Sequence, residues 1–392
     1  MDPIENTAPL RAKPLPYGRQ TIEDDDVAAV VEVLRSDWLT TGPKVDEFER
    51  ALAAFTGAAH AVTIANGTGA LHAAMAALGI GPGDEVIVPA ITFVATANCV
   101  IYQGGTPVFA DIEADTLLID PADVERKITP RTKAILAVDY GGQPCDYGAL
   151  RALAQRHGLA LVADACHALG AARDGTPVGS LAELSTFSFH PVKPIATGEG
   201  GAIVTNDAAL AAKMRVFRGH GIVSDFRQRE KQGSWVYDMS HLGFNYRLSD
   251  IQCALGLSQL AKLPGWIARR QALAAHYDER LREHPLLTPL ACRPGVSHGF
   301  HLYVAQLPIG VDRGEVFRAF RAARIGVNVH YLPVYLHSFY RERLGDRRGL
   351  CPAAEQAYER ILSLPIFPLM SERDVDDVVA VADQIGRSVL KS

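Results

Sequence analysis

The sequence has no unbroken run of the roughly eighteen apolar residues that a membrane-spanning helix requires, although 48% of its 392 residues are hydrophobic. Its start, "MDPIENTAPLRAKPLPYGRQ", has early acids and prolines in place of a charged lead and an apolar core, so no secretory signal is expected. The six cysteines, at 99, 145, 166, 253, 292 and 351, include no CxxC pair and no zinc-type spacing. A reducing cytoplasm is the expected compartment, and no metal is expected. Basic excess is missing too: the net charge is −5, and no Lys/Arg run interleaved with aromatics points to nucleic acid. The acids from Glu23 to Asp26 read as the first turn of a helix.

The length suits a large domain with a smaller one attached. "IEDDDVAAVVEVLR", from Ile22 to Arg35, carries apolar residues at helical spacing behind Thr21 as N-cap. "KVDEFERALAAFTG" repeats that period and ends at Gly57. From "HAVTIANGTGALHAAMAALGIGPGDEVIVP" a strand, turn, helix, strand rhythm begins and runs through "PVFADI", "TKAILAVDY", "LALVADA" and "AIVTND". Such alternation predicts α/β architecture, a mostly parallel sheet covered by helices. After Asn206 the pattern changes to a helix ending at Phe217, an irregular polar stretch over Ser224 to Ser240, and a long helix from Leu248 to about Glu283. The remainder reads as a small α/β lobe closed by a helix from Ser371. The expected division is a large domain over 1–261 and a small C-terminal domain over 262–392.

Chemistry concentrates around Lys193, in "STFSFHPVKPIATGEGGAIVTND". It lies between a strand and a glycine turn, among apolar and aromatic neighbours. Alone it could be a buried lysine paired to an acid. A lysine that attacks a carbonyl must be neutral, which desolvation or a standing imine arranges. An imine to pyridoxal phosphate demands three more features: a carboxylate for the pyridinium proton, a phosphate cradle and a flat group against the ring. Asp164 ends the apolar run "LALVAD" at the carboxyl end of a strand, where ligands of parallel sheets bind; it could otherwise be a helix cap. The turn "ANGTGALHAAM" runs into a helix N-terminus, which favours anions, yet it matches neither G-x-G-x-x-G nor the Walker pattern. Thr68, Gly69 and Ser188 would share the phosphate. Phe93, in "PAITFVATAN", would stack, or be plain core, and His167 could adjoin the ring hydroxyl, or be structural.

Taken together, "WLTTGPKVDEFE", "NGTGALHAA", "PAITFVATAN", "PVFADI", "VADACHALGA", "FSFHPVKPIATGEGGAIVTND", "GFNYRLSDIQCALGLSQL" and "SLPIFP" occur in an order that resembles the DegT/StrS-type nucleotide-sugar aminotransferases, of the fold-type I pyridoxal phosphate-dependent class. The resemblance covers nearly the whole chain. It implies the aspartate aminotransferase-like fold, with Lys193 bonded to the cofactor, Asp164 on the pyridinium, His167 beside the ring oxygen, Phe93 stacked, and Thr68, Gly69 and Ser188 on the phosphate. It also implies a homodimer with shared active sites, in which Asn245 of "GFNYR" serves the neighbouring subunit's phosphate with Arg247 close by. Related sugar dehydratases carry histidine in place of the lysine, so Lys193 points to transamination. Four stretches, ending in "VHYLPVYLHSFY", are similar to the branch acting in pseudaminic acid synthesis. That likeness implies L-glutamate as donor and a UDP-4-keto-6-deoxy sugar as acceptor, with His330 and Tyr331 as candidate sugar contacts. The alternatives are another 4-keto nucleotide-sugar aminotransferase, of UDP-bacillosamine type or dTDP-linked, and a cofactor-binding regulator without turnover.

Overall fold

In the computed structural model, which describes residues 11–224, 226–231 and 233–390, a seven-stranded sheet has the order β1-β9-β8-β5-β4-β2-β3. Its strands are β1 (His60–Ile64), β2 (Glu85–Pro89), β3 (Thr106–Ala110), β4 (Thr132–Val138), β5 (Ala160–Asp164), β8 (Leu184–Ser188) and β9 (Gly201–Thr205); the short β6 (Ala172–Arg173) and β7 (Thr176–Pro177) lie between β5 and β8 in the chain. The pairs β3/β2, β2/β4, β4/β5 and β5/β8 are parallel. Strand β9 runs antiparallel to both its neighbours, β8 and β1. The alternation of strands and helices was therefore a sound guide to the sheet but not to the direction of "AIVTND". The opening stretch 1–10, part of the N-terminus read above, lies outside the described residues.

The helices are α1 (Asp24–Leu34), α2 (Pro43–Thr56), α3 (Gly67–Ala77), α4 (Ala95–Tyr102), α5 (Pro121–Lys127), α6 (Tyr147–His157), α7 (Ala208–Arg218), α8 (Phe226–Lys231), α9 (Asp250–Leu281), α10 (Arg313–Ala322), α11 (Ser338–Leu344), α12 (Pro352–Arg360) and α13 (Glu372–Val389). Two readings need correction. The N-cap of α1 is Glu23, in a reciprocal pair with Asp26, while Thr21 is buried before it. The polar stretch after Phe217 holds the short helix α8. Other termini follow the sequence: Gly57 closes α2 in the left-handed conformation that lacks a Cβ penalty. Ser249 caps α9 with Gln252, and Ser371 caps α13 with Asp374, each as a reciprocal capping box.

A second sheet, β10 (Thr288–Pro289), β12 (Tyr303–Gln306) and β13 (Ile361–Leu364), packs with α10 and α13, and β11 (Val296–Ser297) joins β6 and β7 in a third. Two hydrophobic cores result, and α9 crosses both. Leu263 and Ile267 bury in the core of the large sheet, whereas Leu273, Tyr277 and Leu281 bury in that of the small one. The site lies where these two bodies face each other. Among the described residues no helix is long and apolar enough to cross a membrane.

Candidate active site

Parallel strands aim their carboxyl ends at one edge of the sheet, and a cavity of about 1080 Å³ opens there. Asp164 closes β5 at its floor, and Lys193 enters from the segment joining β8 to β9. The N-terminus of α3 supplies Gly67, Thr68 and Gly69, and Ser188 stands at the end of β8. The small-lobe side contributes His301 and residues 328–332. Nine of the sequence candidates thus meet in one cavity: Lys193, Asp164, His167, Phe93, Thr68, Gly69, Ser188, His330 and Tyr331.

Asp164 is 6% exposed and held from two sides. Its Oδ2 accepts a hydrogen bond from the Thr96 hydroxyl at 2.7 Å, which in turn shares one with Thr92, and its Oδ1 accepts from the Cys166 N–H at 3.3 Å. The carboxylate is thereby fixed in place and not free to rotate toward solvent. Lys193 is half-buried in the cavity wall, and desolvation of its amine pushes it below the usual lysine value, opposed by the neighbouring Cys166 and Asp164. The effect is to raise the neutral fraction, the form that can act as a nucleophile or base.

His167 is buried, and that burial, with the charges of Lys193 and His330 beside it, holds its imidazole well below the usual histidine range. The neutral ring has an assignable proton. Its Nδ1 accepts from the Gly141 N–H at 3.3 Å, which places the proton on Nε2, 3.3 Å from the Tyr331 hydroxyl. Tyr331 also reaches Phe93, ring centroids 6.1 Å apart, and Phe93, 54% exposed, lines the cavity. Both nitrogens of His330 are engaged, with Ser363 at 2.8 Å and Asn328 at 3.3 Å, so its place is structural support for the wall as much as ligand contact.

At the α3 terminus the Asn66 side chain caps the helix by accepting from the Gly69 N–H at 2.8 Å. Gly69 therefore lines the cavity with its N–H already used. Gly67 and Thr68, in the first turn, retain N–H groups without intrahelical partners, an anion site by geometry. The approach of chain to chain is close. A Cβ on Gly67 would fall 2.8 Å from Ser188 Cβ and 3.3 Å from Cys166 Sγ, so only glycine fits this cradle.

Two candidates lie elsewhere. Asn245 is exposed, in a bridge with Gly219. Arg247 lines a different cavity, of about 410 Å³, together with Arg215, Arg218 and Arg229. There Arg215 and Arg218 pair with the buried Glu49, and Arg227 pairs with Asp46. Residues not singled out from the sequence also matter. Thr96, which fixes Asp164, sits in the apolar helix α4, where no pattern marks a long-range contact. Tyr17 and His301 line the cavity from segments distant in the chain. A histidine in "HGFHLYV" carried no signal beyond its type.

The chain is similar to known proteins over most of its length. The DegT/DnrJ/EryC1/StrS aminotransferase family matches residues 20–382. Among curated proteins, the spore coat polysaccharide biosynthesis protein SpsC of Bacillus subtilis is 44% identical over 376 residues, 94% of this chain and 96% of its own. Among solved structures, Spr1654 from Streptococcus pneumoniae in its PLP form superposes with a TM-score of 0.90 at 31% identity, covering 96% of this chain and 99% of that one. Helicobacter pylori PseC, an aminotransferase involved in pseudaminic acid biosynthesis, does so with a TM-score of 0.90 at 34% identity, over 96% and 100%. The residues present fit pyridoxal phosphate: a depressed lysine amine, a fixed carboxylate at the floor and a glycine cradle at a helix N-terminus open on one cavity.

Proposed function

The chain belongs to the DegT/DnrJ/EryC1/StrS aminotransferase family, whose members use pyridoxal phosphate and act on sugars, and from that premise we propose that it moves an amino group from L-glutamate to C4 of UDP-2-acetamido-2,6-dideoxy-β-L-arabino-4-hexulose. The product is UDP-4-amino-4,6-dideoxy-N-acetyl-β-L-altrosamine. The observation that carries the reaction class is the convergence of Lys193 and Asp164 on one cavity. The likeness to PseC, with the stretch "VHYLPVYLHSFY", supports the sugar.

Pyridoxal phosphate, when bound, supplies an electron sink and carries the amino group between donor and acceptor. Lys193 tethers it and, once released, holds and moves the proton at Nζ; burial keeps that amine available as a base. Asp164, clamped by Thr96 and the Cys166 N–H, keeps a negative charge at the floor to retain the ring nitrogen's proton. Gly67 and Thr68, with the Ser188 hydroxyl, take the phosphate, and Gly69 shapes the turn. His167 directs its Nε2–H toward the Tyr331 hydroxyl and would be free to give it to the cofactor's ring oxygen, and Phe93 would be the flat group against the ring. One lysine serves both halves of the reaction because donor and acceptor occupy the same place in turn.

The exposed Asn245 would complete the phosphate site of a second copy, with Arg247 near the sugar nucleotide, in a cytoplasmic homodimer. The division at 262 falls inside α9, which would then act as the shared spine of the two domains. A second reading is supported by the 44% identity to SpsC, above the 34% to PseC: amination of a different 4-keto-6-deoxy nucleotide sugar. Competition between the L-arabino and D-xylo 4-keto isomers at equal concentration, with glutamate, separates the two. Faster amination of the L-arabino compound supports the first reading, and faster amination of the D-xylo compound replaces it with the second.

A further inference from the structure

Behind the floor of the cavity lies a second carboxyl group that the reaction as described does not use. Asp139 follows β4 directly, and Val138 is paired in register with Asp164 on β5. Its backbone N–H donates to the Asp164 carbonyl at 3.1 Å. The side chain is fully buried. Oδ1 accepts two hydrogen bonds, from the Cys145 N–H at 3.0 Å and the Tyr147 hydroxyl at 2.8 Å. Oδ2 is buried with no partner among the described residues. The titratable groups that bear on it are Cys145 and Tyr147, on the turn and on α6, and Asp164 on β5. None of the three is a cation. A carboxylate so placed would have an uncompensated oxygen beside a second negative charge.

The turn that Asp139 begins, Tyr140–Gly142, is a junction of the site. Gly141 gives its N–H to His167, and Tyr140 gives its hydroxyl proton to the His330 carbonyl. Gly141 and Gly142 accept from the N–H groups of Leu302 and Gly299, on the segment that carries His301. The Asp139 side chain staples this turn to the start of α6. We propose that Asp139 is a positioning residue that works as a neutral acid: it anchors the 140–142 turn under His167 and places no second carboxylate charge beside Asp164. The direction of its titration agrees, since burial pushes the Asp139 carboxyl up to about 7.

The consequence for stability has a definite sign. Between the unfolded carboxyl value and about 7, the folded chain binds a proton at Asp139 that the unfolded chain has released. This group therefore costs stability progressively as pH rises through that window. An asparagine keeps the acceptor for Cys145 and Tyr147 and cannot ionise. The test is the thermal midpoint of wild type, Asp139→Asn and Asp139→Ala, measured on the protein as purified across the acid to mildly alkaline range. The expected result is a difference between Asp139→Asn and wild type that shifts in favour of the asparagine variant as pH rises from the ordinary carboxyl range up to about 7, and levels off above that. A difference that moves against asparagine with rising pH overturns the proposal, because Asp139 would then be needed as a carboxylate. The positioning arm rests on the cofactor reading above: Asp139→Ala should weaken pyridoxal phosphate binding about tenfold through the lost anchor, and Asp139→Asn should restore it. An asparagine variant as weak as alanine overturns the positioning role. If no variant and no wild type takes up the cofactor, the functional reading fails while the stability arm still reports on Asp139.

Discussion

The floor of the cavity and the segment from Trp235 to Arg247 are built in opposite ways. At the floor, Asp164 and His167 are buried and tied by hydrogen bonds to neighbouring elements, and Lys193 is half-buried with a desolvated amine. Along the other segment Trp235 is 86% exposed and Leu242 is 75% exposed, with Val236, Tyr237 and Met239 exposed between them. Apolar side chains in that number are unusual on an open surface. Under the proposed function the floor works with what one chain supplies, since the residues proposed as charge, proton carrier and anion cradle open on a single space. The segment carrying Asn245 and Arg247 has functional candidates that do not reach that space. The difference separates chemistry, which the single chain assembles, from completion of the site, which under the proposed dimer comes from a second copy.

The comparison can be broken most severely at the floor. Lys193→Ala removes the tether and the proton carrier together, and turnover should fall by about 10⁴-fold, the upper range for a general acid–base group. Product formation from glutamate and the 4-keto sugar measures it, and retention of more than a small fraction of activity would place the chemistry elsewhere. Asp164→Asn keeps the shape and its Thr96 contact but removes the charge. Its kcat should drop by about 10²- to 10³-fold, with a much smaller change in cofactor affinity, as for loss of one electrostatic group acting in the transition state. Equal losses in both quantities would make Asp164 a binding residue only.

The exposed segment is tested by mixing. If Asn245 serves a neighbour's phosphate site, co-expressed chains carrying Lys193→Ala and Asn245→Ala should form mixed dimers with one intact site. Activity of the mixture must exceed that of either parent alone; if it does not, the two regions do not share a site. The smallest effect is expected at Thr96→Val, which deletes one hydrogen bond to Asp164 and should lower kcat about tenfold. An unchanged rate would mean that Cys166 N–H suffices to hold the carboxylate.

The same contrast explains what could be read from the sequence. Lys193 and Asp164 were legible because each breaks its surroundings: a charge at the end of an apolar strand has few reasons to be there. The start of the last helix at Ser371 was legible from its pattern, and the structure adds that Ser249 and Ser371 each cap through a partner three residues on. Thr96 was not, since its bond to Asp164 spans 68 residues and a threonine in an apolar helix is ordinary. The direction of β9 was hidden for a related reason. All five of its residues are buried, and a short strand covered on both faces reads alike whether parallel or antiparallel. Competition among adjacent acids moved the α1 cap from Thr21 to Glu23, a choice made by the reciprocal bond to Asp26. Asp139 was taken into the strand "TKAILAVDY", and nothing local revealed that its carboxyl turns back toward Tyr147.

The central claim is that Lys193 is the lysine through which this protein works. Purified protein loaded with pyridoxal phosphate, reduced with borohydride and digested, should yield one peptide with the mass of the reduced cofactor, and fragmentation should place it on Lys193. A cofactor mass on a different lysine, in protein that still transfers the amino group, would contradict the account.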